Sequence, residues 1–496
     1  MDKPGVTNVL IVGGGTAGWS AAAGLAQLIG KNLNISLVES DQIGTVGVGE
    51  ATIPTFLLLH RLLQIKEAEF LAATQGTIKL GISFENWKAI GEKYIHAFGF
   101  TGQGCWAAGF QHFWLKGREL GISDDYSVYS PELMAARAGR FGFLKQDPLN
   151  YAYHLDATRY AQYLRRRAEQ AGVKRIEGRI VTVNQDASGD ISDVVLESGQ
   201  KVEADFFIDC SGLAALLIDK TLASPFEDWS HWLPCDRAVA VQTSADADPI
   251  PYTRSIAHPF GWQWRIPLQH RVGNGMVFSS SHVSDDVATE TLLSNISGER
   301  LIEPRVIRFR TGQRRASWTR NCVAIGLAAG FLEPLESTSI HLIQRGIVRL
   351  MQIFPFGGVN EADRTEFNRQ MSAEFDFIRD FIIMHYHLNE RTDSDFWTQC
   401  REMSIPESLQ HRLELFRESG RVFQQEGDIF GENSWTQVMM GQGLQPQSYH
   451  PIVDMMGDEE FRRFMLHQKQ KVEAAVSQLP SHGEFLSRYC PADMDL

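Results

Sequence analysis

Apolar residues fall along this chain in runs whose spacing changes from segment to segment. Asn8–Val12 is a short apolar run of the kind that makes a buried strand, and Trp19–Ile29 carries small and apolar residues at helical spacing. Ile35–Val38 predicts a second buried strand, closed by Glu39. The pattern then predicts a helix over 56–73, a strand-like stretch over 77–87 and a helix from Tyr153 to a stop at Gly172. A strand-rich stretch runs to Ala204, and Phe206–Asp209 is a further buried strand that ends in the small residues Cys210-Ser211-Gly212. Residues 236–320 alternate apolar and polar positions at short spacing, which predicts an antiparallel sheet. Cys322–Ile325 is another buried strand, followed by a helix over 340–353. From 360 onward the pattern is mainly helical, strongest over 362–388, 406–426 and 458–479. The expectation is an α/β (α+β) fold. Residues 1–355 form a nucleotide-binding domain in separated pieces, with an insertion at about 88–150. Residues 356–496 form a helical cap.

Composition narrows the class. The 496 residues are 43% hydrophobic and 22% charged, ordinary for a globular protein. A net charge of −13 argues against nucleic acid or an anionic membrane as main partner, though not against a small anion in a local pocket. No apolar run is long enough for a membrane span, and no signal-peptide h-region is visible, so a cytoplasmic protein is expected. The six cysteines lack metal-ligand spacing and read as scattered thiols, and no metal site is expected.

The first 39 residues carry the strongest chemistry. Strand, Gly13-Gly14-Gly15-Thr16-Ala17-Gly18, helix, strand and acid follow in order. Gly13 makes the tight turn, Gly15 lets a pyrophosphate approach, and Gly18 lets helix pack on strand. The helix start offers free N–H groups to phosphate, and Glu39 suits an unphosphorylated ribose, so FAD or NAD. Residues 44–55 hold three glycines within six residues. They are either an ordinary connection or a strap over a flat cofactor. Lys79, between Ile78 and Leu80, is either a snorkelling surface lysine or an amine in a dry site. The ring-rich stretch 94–114 fills a core or lines a slot for a flat ligand. Trp262 and Trp264 share one strand face before Pro267. Ser337, Thr338 and Ser339 precede a helix and serve either as its cap or as an anion site, with Glu336 beside them.

Taken together, GGGTAGW (13–19), GVGEATIP (47–54), Lys79, GWQWRIP (261–267) and PLESTS (334–339) resemble the flavin-dependent tryptophan/indole halogenases, over nearly the whole chain. The resemblance implies a flavin-monooxygenase-like FAD domain of Rossmann type with a helical substrate-binding portion. It implies FAD, as FADH2, held by Gly13, Gly15, Thr16, Ala17, Gly18, Glu39, Ala51, Gly326 and Leu335. With O2 and a halide ion, chloride or bromide, such enzymes make hypohalous acid at the flavin, and the acid crosses a tunnel to the aromatic substrate. Lys79 matches the catalytic lysine and Glu336 the glutamate that polarises the electrophile or accepts the ring proton. Thr338 and Ser339 match the halide-holding amides; Trp262, Trp264, Ile266 and Pro267 match the wall between flavin and tunnel. His96 and Phe98 match aromatic substrate positions, with Trp435 a further one.

The chain departs from the family at two places. Ser339 stands where the family often has Gly. No tyrosine pair and glutamate precede Trp435, where the chain reads RVFQQEGDIFGENSW, so plain indole or an indole on a larger scaffold is expected over free tryptophan. A single dinucleotide fingerprint implies a separate NADH-dependent flavin reductase as partner; the oligomeric state, homodimer included, is left open. Two other readings stand beside halogenation. A flavin-dependent aromatic hydroxylase would carry Gly-Asp where this chain has Gly326-Leu327. A non-catalytic flavin-binding redox protein would have no use for Lys79.

Overall fold

A computed structural model describes residues 5–43, 49–245 and 247–492. Asn8–Val12 lies inside a six-stranded sheet, paired in parallel with Asn34–Glu39 on one side and Phe206–Asp209 on the other. Lys174–Glu177 and Cys322–Ala324 extend it in parallel, and Trp318–Thr319 closes one edge antiparallel. The central strands are apolar on both faces because helices cover both. Their carboxyl ends therefore gather the turns after Val12, Glu39, Asp209 and Ala324 at one edge.

A seven-stranded sheet stands beside it, in the order Arg305–Arg308, Arg237–Ser244, Arg271–Phe278, Gly261–Pro267, Thr253–His258, Gly81–Glu85 and Lys93–Ala97. The expected antiparallel pairing over 236–320 holds for the 237, 253, 261 and 271 strands. A helix, Asp285–Ser294, interrupts that region; the Ser284 hydroxyl accepts from Val287 N–H and caps it. A third, small sheet joins Gly49–Ala51, Ala152–Asp156 and Thr77–Lys79.

Several predicted elements need correction. The 56–73 helix is two, Phe56–Leu62 and Glu67–Thr74, because Gln64 takes a left-handed conformation (φ 51°) between them. The 77–87 stretch is two strands in different sheets, Thr77–Lys79 and Gly81–Glu85. Leu80 N–H leaves for Pro251 O, and a Cβ on Gly81 would meet His96 O at 2.4 Å. Residues from Tyr153 begin as a strand, Ala152–Asp156; the helix starts at Ala157, where the Asp156 carboxylate accepts from Thr158 and Arg159 N–H. The helix expected to reach 426 stops at Ser419, where Gly420 turns left-handed at φ 66°. The glycine-rich turn 44–48 lies outside the described residues.

The helix Glu361–His387 runs against both sheets and buries His385 and Tyr386 at its end. Of the rings over 94–114, some fill the interior, while Trp106 is 93% exposed. All six cysteines are unpaired thiols. Among the described residues no helix is long and apolar enough to cross a membrane.

Candidate active site

The glycine turn forms an open cradle. Gly13 has φ 109°, and a Cβ there would meet Cys210 O at 2.3 Å, so only glycine fits. A Cβ on Gly15 would meet nothing within 4 Å among the described residues. Gly15 also starts the Thr16–Leu28 helix without a side-chain cap, and that helix has no acid in its first turn. Free N–H groups and open space coincide, which is what a pyrophosphate needs. Glu39 is held at the strand end by Trp19 Nε1 (3.3 Å) and Arg175 Nε (2.6 Å). Gly326, at φ 74°, brings the late strand–helix turn against Ala17; a Cβ there would lie 3.0 Å from Ala17 Cβ. These residues fit a dinucleotide laid along the sheet edge.

Lys79 is wholly buried. Its ammonium donates to Thr52 O (3.0 Å) and Ser337 Oγ (2.7 Å), and it lies 5.3 Å from the centroid of the Phe98 ring. Burial drops its pKa from 10.5 to about 7, with Glu336 opposing the fall. Of the two readings of Lys79, the snorkelling one is therefore corrected. Its strand is closed on both sides, pairing with Ala152 and held at Ile78 N–H by His482 Nε2 (3.2 Å).

Glu336 ends a short turn, Pro334–Glu336, and is equally buried. His96 Nδ1 lies 3.1 and 3.0 Å from its two oxygens, and His385 Nε2 lies 2.8 Å from Oε1. Burial works to raise its pKa, but the two histidines outweigh it and hold the carboxyl at about 2. Ser337 follows in a left-handed conformation, φ 60°, which carries its hydroxyl to Lys79. Thr338 then caps the Ser339–Gln352 helix by position only: its side chain makes no capping bond, and no acid stands in the first turn. The local cap expected there is not formed, and the helix start keeps its N–H groups free. Thr338 and Ser339 line a small cleft together with Gly326, Leu327 and Phe331.

Residues 8–458 match the family model for tryptophan halogenase. The chain is 34% identical to tryptophan 7-halogenase RebH of Lentzea aerocolonigenes, covering 97% of this chain and 98% of the other. The flavin-dependent halogenase Xcc4156 of Xanthomonas campestris superposes with a TM-score of 0.97 at 56% identity, over 99% of each chain. BrvH, a flavin-dependent halogenase from Brevundimonas sp. BAL3, does so at 0.94 and 43%, over 98% of this chain and 100% of the other. The chain belongs to the tryptophan halogenase family.

Within this halogenase the Trp262–Pro267 segment is buried, Arg265 excepted. Trp262 Nε1 donates to Glu333 Oε2 (2.9 Å), an acid that burial pushes up to about 7. The Trp262 and Trp264 rings lie 6.1 Å apart, tilted at 58°. Ile266 reaches Gly49, whose added Cβ would lie 3.1 Å from it, and Pro267 O accepts from Thr77 Oγ1 (2.8 Å). That strand end therefore touches both the segment holding Ala51 and the strand holding Lys79. Leu335 and Ala51 are buried.

Trp435 is buried under the Arg412 guanidinium (3.9 Å to the ring centroid), edge-on to Phe381 at 4.7 Å, and donates to Asp428 (3.2 Å). Its position is thus set by cap residues. Around Lys79 and Glu336 the structure also gathers Thr52, Ser337, His385 and Tyr94, whose hydroxyl lies 3.0 Å from His385 Nδ1; the sequence reading placed none of them beside the lysine. Ser337 and Thr52 stand inside quoted motifs and Tyr94 opens the ring-rich stretch, which was the available signal; His385 had none.

Proposed function

We propose that this halogenase chlorinates or brominates an indole-type ring, using FADH2, O2 and halide, with Lys79 and Glu336 at the reacting centre. The observation that carries the reading is Lys79, a wholly buried amine that feels the charge of a buried carboxylate, Glu336, with an uncapped helix start at Thr338 on the flavin side. Bound at Gly13, Gly15, Thr16, Ala17, Gly18, Glu39, Ala51, Gly326 and Leu335, FADH2 with O2 supplies the oxidising equivalents that turn halide into hypohalous acid.

The protein's own groups do the rest. Amide N–H groups at Thr338 and Ser339 hold the halide. Lys79 receives the acid, fixed by the Thr52 carbonyl and the Ser337 hydroxyl. Glu336 supplies the negative field that favours an ammonium there. Trp262, Trp264, Ile266 and Pro267 keep the ring substrate away from the flavin, while His96, Phe98 and Trp435 enclose it.

The cap favours indole over free tryptophan. In the segment before Trp435, the buried acid Asp428 is already held by Arg412 (3.0 Å), Trp435 and Phe430 N–H, so it is not free for an ammonium. The reduced flavin comes from a separate NADH-dependent reductase, in the cytoplasm.

The test is a product mass spectrum with FAD, a flavin reductase, NADH, bromide or chloride, and indole or tryptophan. A halogen isotope doublet on indole that disappears in Lys79→Ala is expected, with tryptophan converted more slowly. A product 16 mass units heavier and free of halogen would refute halogenation, and a clear preference for tryptophan would refute the substrate assignment.

A further inference from the structure

Aromatic halogenation ends on the loss of a ring proton, a step for which the resemblance offers Glu336. Electrophilic attack produces a ring carbon that bears both halogen and hydrogen. That C–H bond must break, its electron pair returning to the ring and its proton passing to a base. The inference below rests on the halogenase reading above and concerns that base.

Glu336 is poorly built for the task. Both oxygens already face imidazole N–H donors, and a carboxylate so well satisfied has little proton affinity. The same contacts fix the tautomers. An ionised carboxylate only accepts hydrogen bonds, so His96 carries its proton on Nδ1 and His385 carries its own on Nε2. His385 Nδ1 is then free to accept from the Tyr94 hydroxyl at 3.0 Å, and its Nε2 sits against Glu336 at 2.8 Å, an ion-pair contact rather than an aligned hydrogen bond.

His96 faces the same carboxylate through Nδ1 alone. Its Nε2 is buried and, among the described residues, has no hydrogen-bond partner, on a residue only 2% exposed. An unpartnered buried lone pair is costly and calls for a ligand. An imidazole held through Nδ1–H by a carboxylate, with Nε2 free, is the arrangement used elsewhere for general bases. The location suits the reaction. His96 lies in the Lys93–Ala97 strand and Phe98 follows directly after it, with the Phe98 ring neighbouring Lys79. The His96 ring also packs on Phe381 (5.6 Å) and Phe430 (6.4 Å), the rings that stack on one another beside Trp435. Lys79, His385 and Tyr94 are the other ionisable groups gathered about Glu336.

We propose that His96, rather than Glu336, is the base: Nε2 takes the ring proton as the C–H pair restores aromaticity, and Glu336 stabilises the imidazolium. His96 would thus be a catalytic residue as well as a wall of the ring site.

The test compares single-turnover halogenation of indole and of fully ring-deuterated indole by the unmodified protein, His96→Asn and Glu336→Gln. Asparagine keeps a donor near the Nδ1 position but has no basic nitrogen. Melting temperature and FAD binding check that each variant is folded. The expected result is a fall of about 100-fold or more in His96→Asn, with a deuterium effect above about 2 that is absent from the unmodified protein and from Glu336→Gln. A His96→Asn rate within about threefold of the original would overturn the proposal. So would a slow variant without a deuterium effect, or an effect that appears in Glu336→Gln instead. If the unmodified protein halogenates no indole, the substrate reading falls first and takes this proposal with it.

Discussion

Replacing Lys79 with methionine should abolish halogenation and yet make the protein more stable at neutral pH. Lys79 is wholly buried, and its pKa falls from 10.5 to about 7, first because burial disfavours the ammonium. Between those values the unfolded chain binds a proton that the folded chain does not. The penalty is therefore complete below pH 7 and is relieved as pH rises toward 10.5, so folding stability increases with pH across that window. The full shift corresponds to about 5 kcal/mol below pH 7. Methionine has similar length and no charge. Its cost is the loss of the donor to the Thr52 carbonyl and the Ser337 hydroxyl, about 2 kcal/mol in total. Glu336 keeps its two histidines. The net gain at pH 6 is about 2–3 kcal/mol, equivalent to about 2–3 °C in melting temperature for a chain of this size. By pH 9 the advantage should shrink by a similar amount. Paired melting curves of the FAD-free proteins at pH 6 and pH 9 measure it. A variant less stable at both pH values, or a gap that does not change with pH, would refute the claim that Lys79 is held in a desolvated site.

Two further outcomes follow from individual contacts. Gly15→Ala should leave the melting temperature within about 1 °C, because its Cβ meets nothing, while weakening FAD binding by about tenfold or more in a fluorescence titration. An unchanged affinity would move the pyrophosphate elsewhere. Tyr94→Phe removes the donor to His385 Nδ1 and frees that ring to change tautomer, so turnover should fall by about five- to tenfold with KM nearly unchanged; an effect confined to KM would argue for a role in substrate binding.

The chain's local order determined the nucleotide cradle. Gly13, Gly15, Gly18 and Glu39 act through the conformation of a strand–turn–helix unit, and such units are written in consecutive residues. The same holds for the free helix start at Thr338, although there the residue types also pointed to a cap, which the side chain does not make. Burial was the first thing only tertiary structure could decide. Lys79 between two apolar residues is compatible with surface or interior, and the closing of Ala152 and His482 about its strand settles it. Trp435 reads as a free aromatic in sequence, but Arg412 and Asp428 clamp it. Convergence was the second. Ser337 reaches Lys79 across 258 positions, and Tyr94 reaches His385 across 291. A histidine near the end of a long helix carries no local mark of function. Only the packing of that helix against the edge of the seven-stranded sheet turns His385, Glu336 and His96 toward one another, because shielding two imidazoles and a carboxylate from water pays only when they meet.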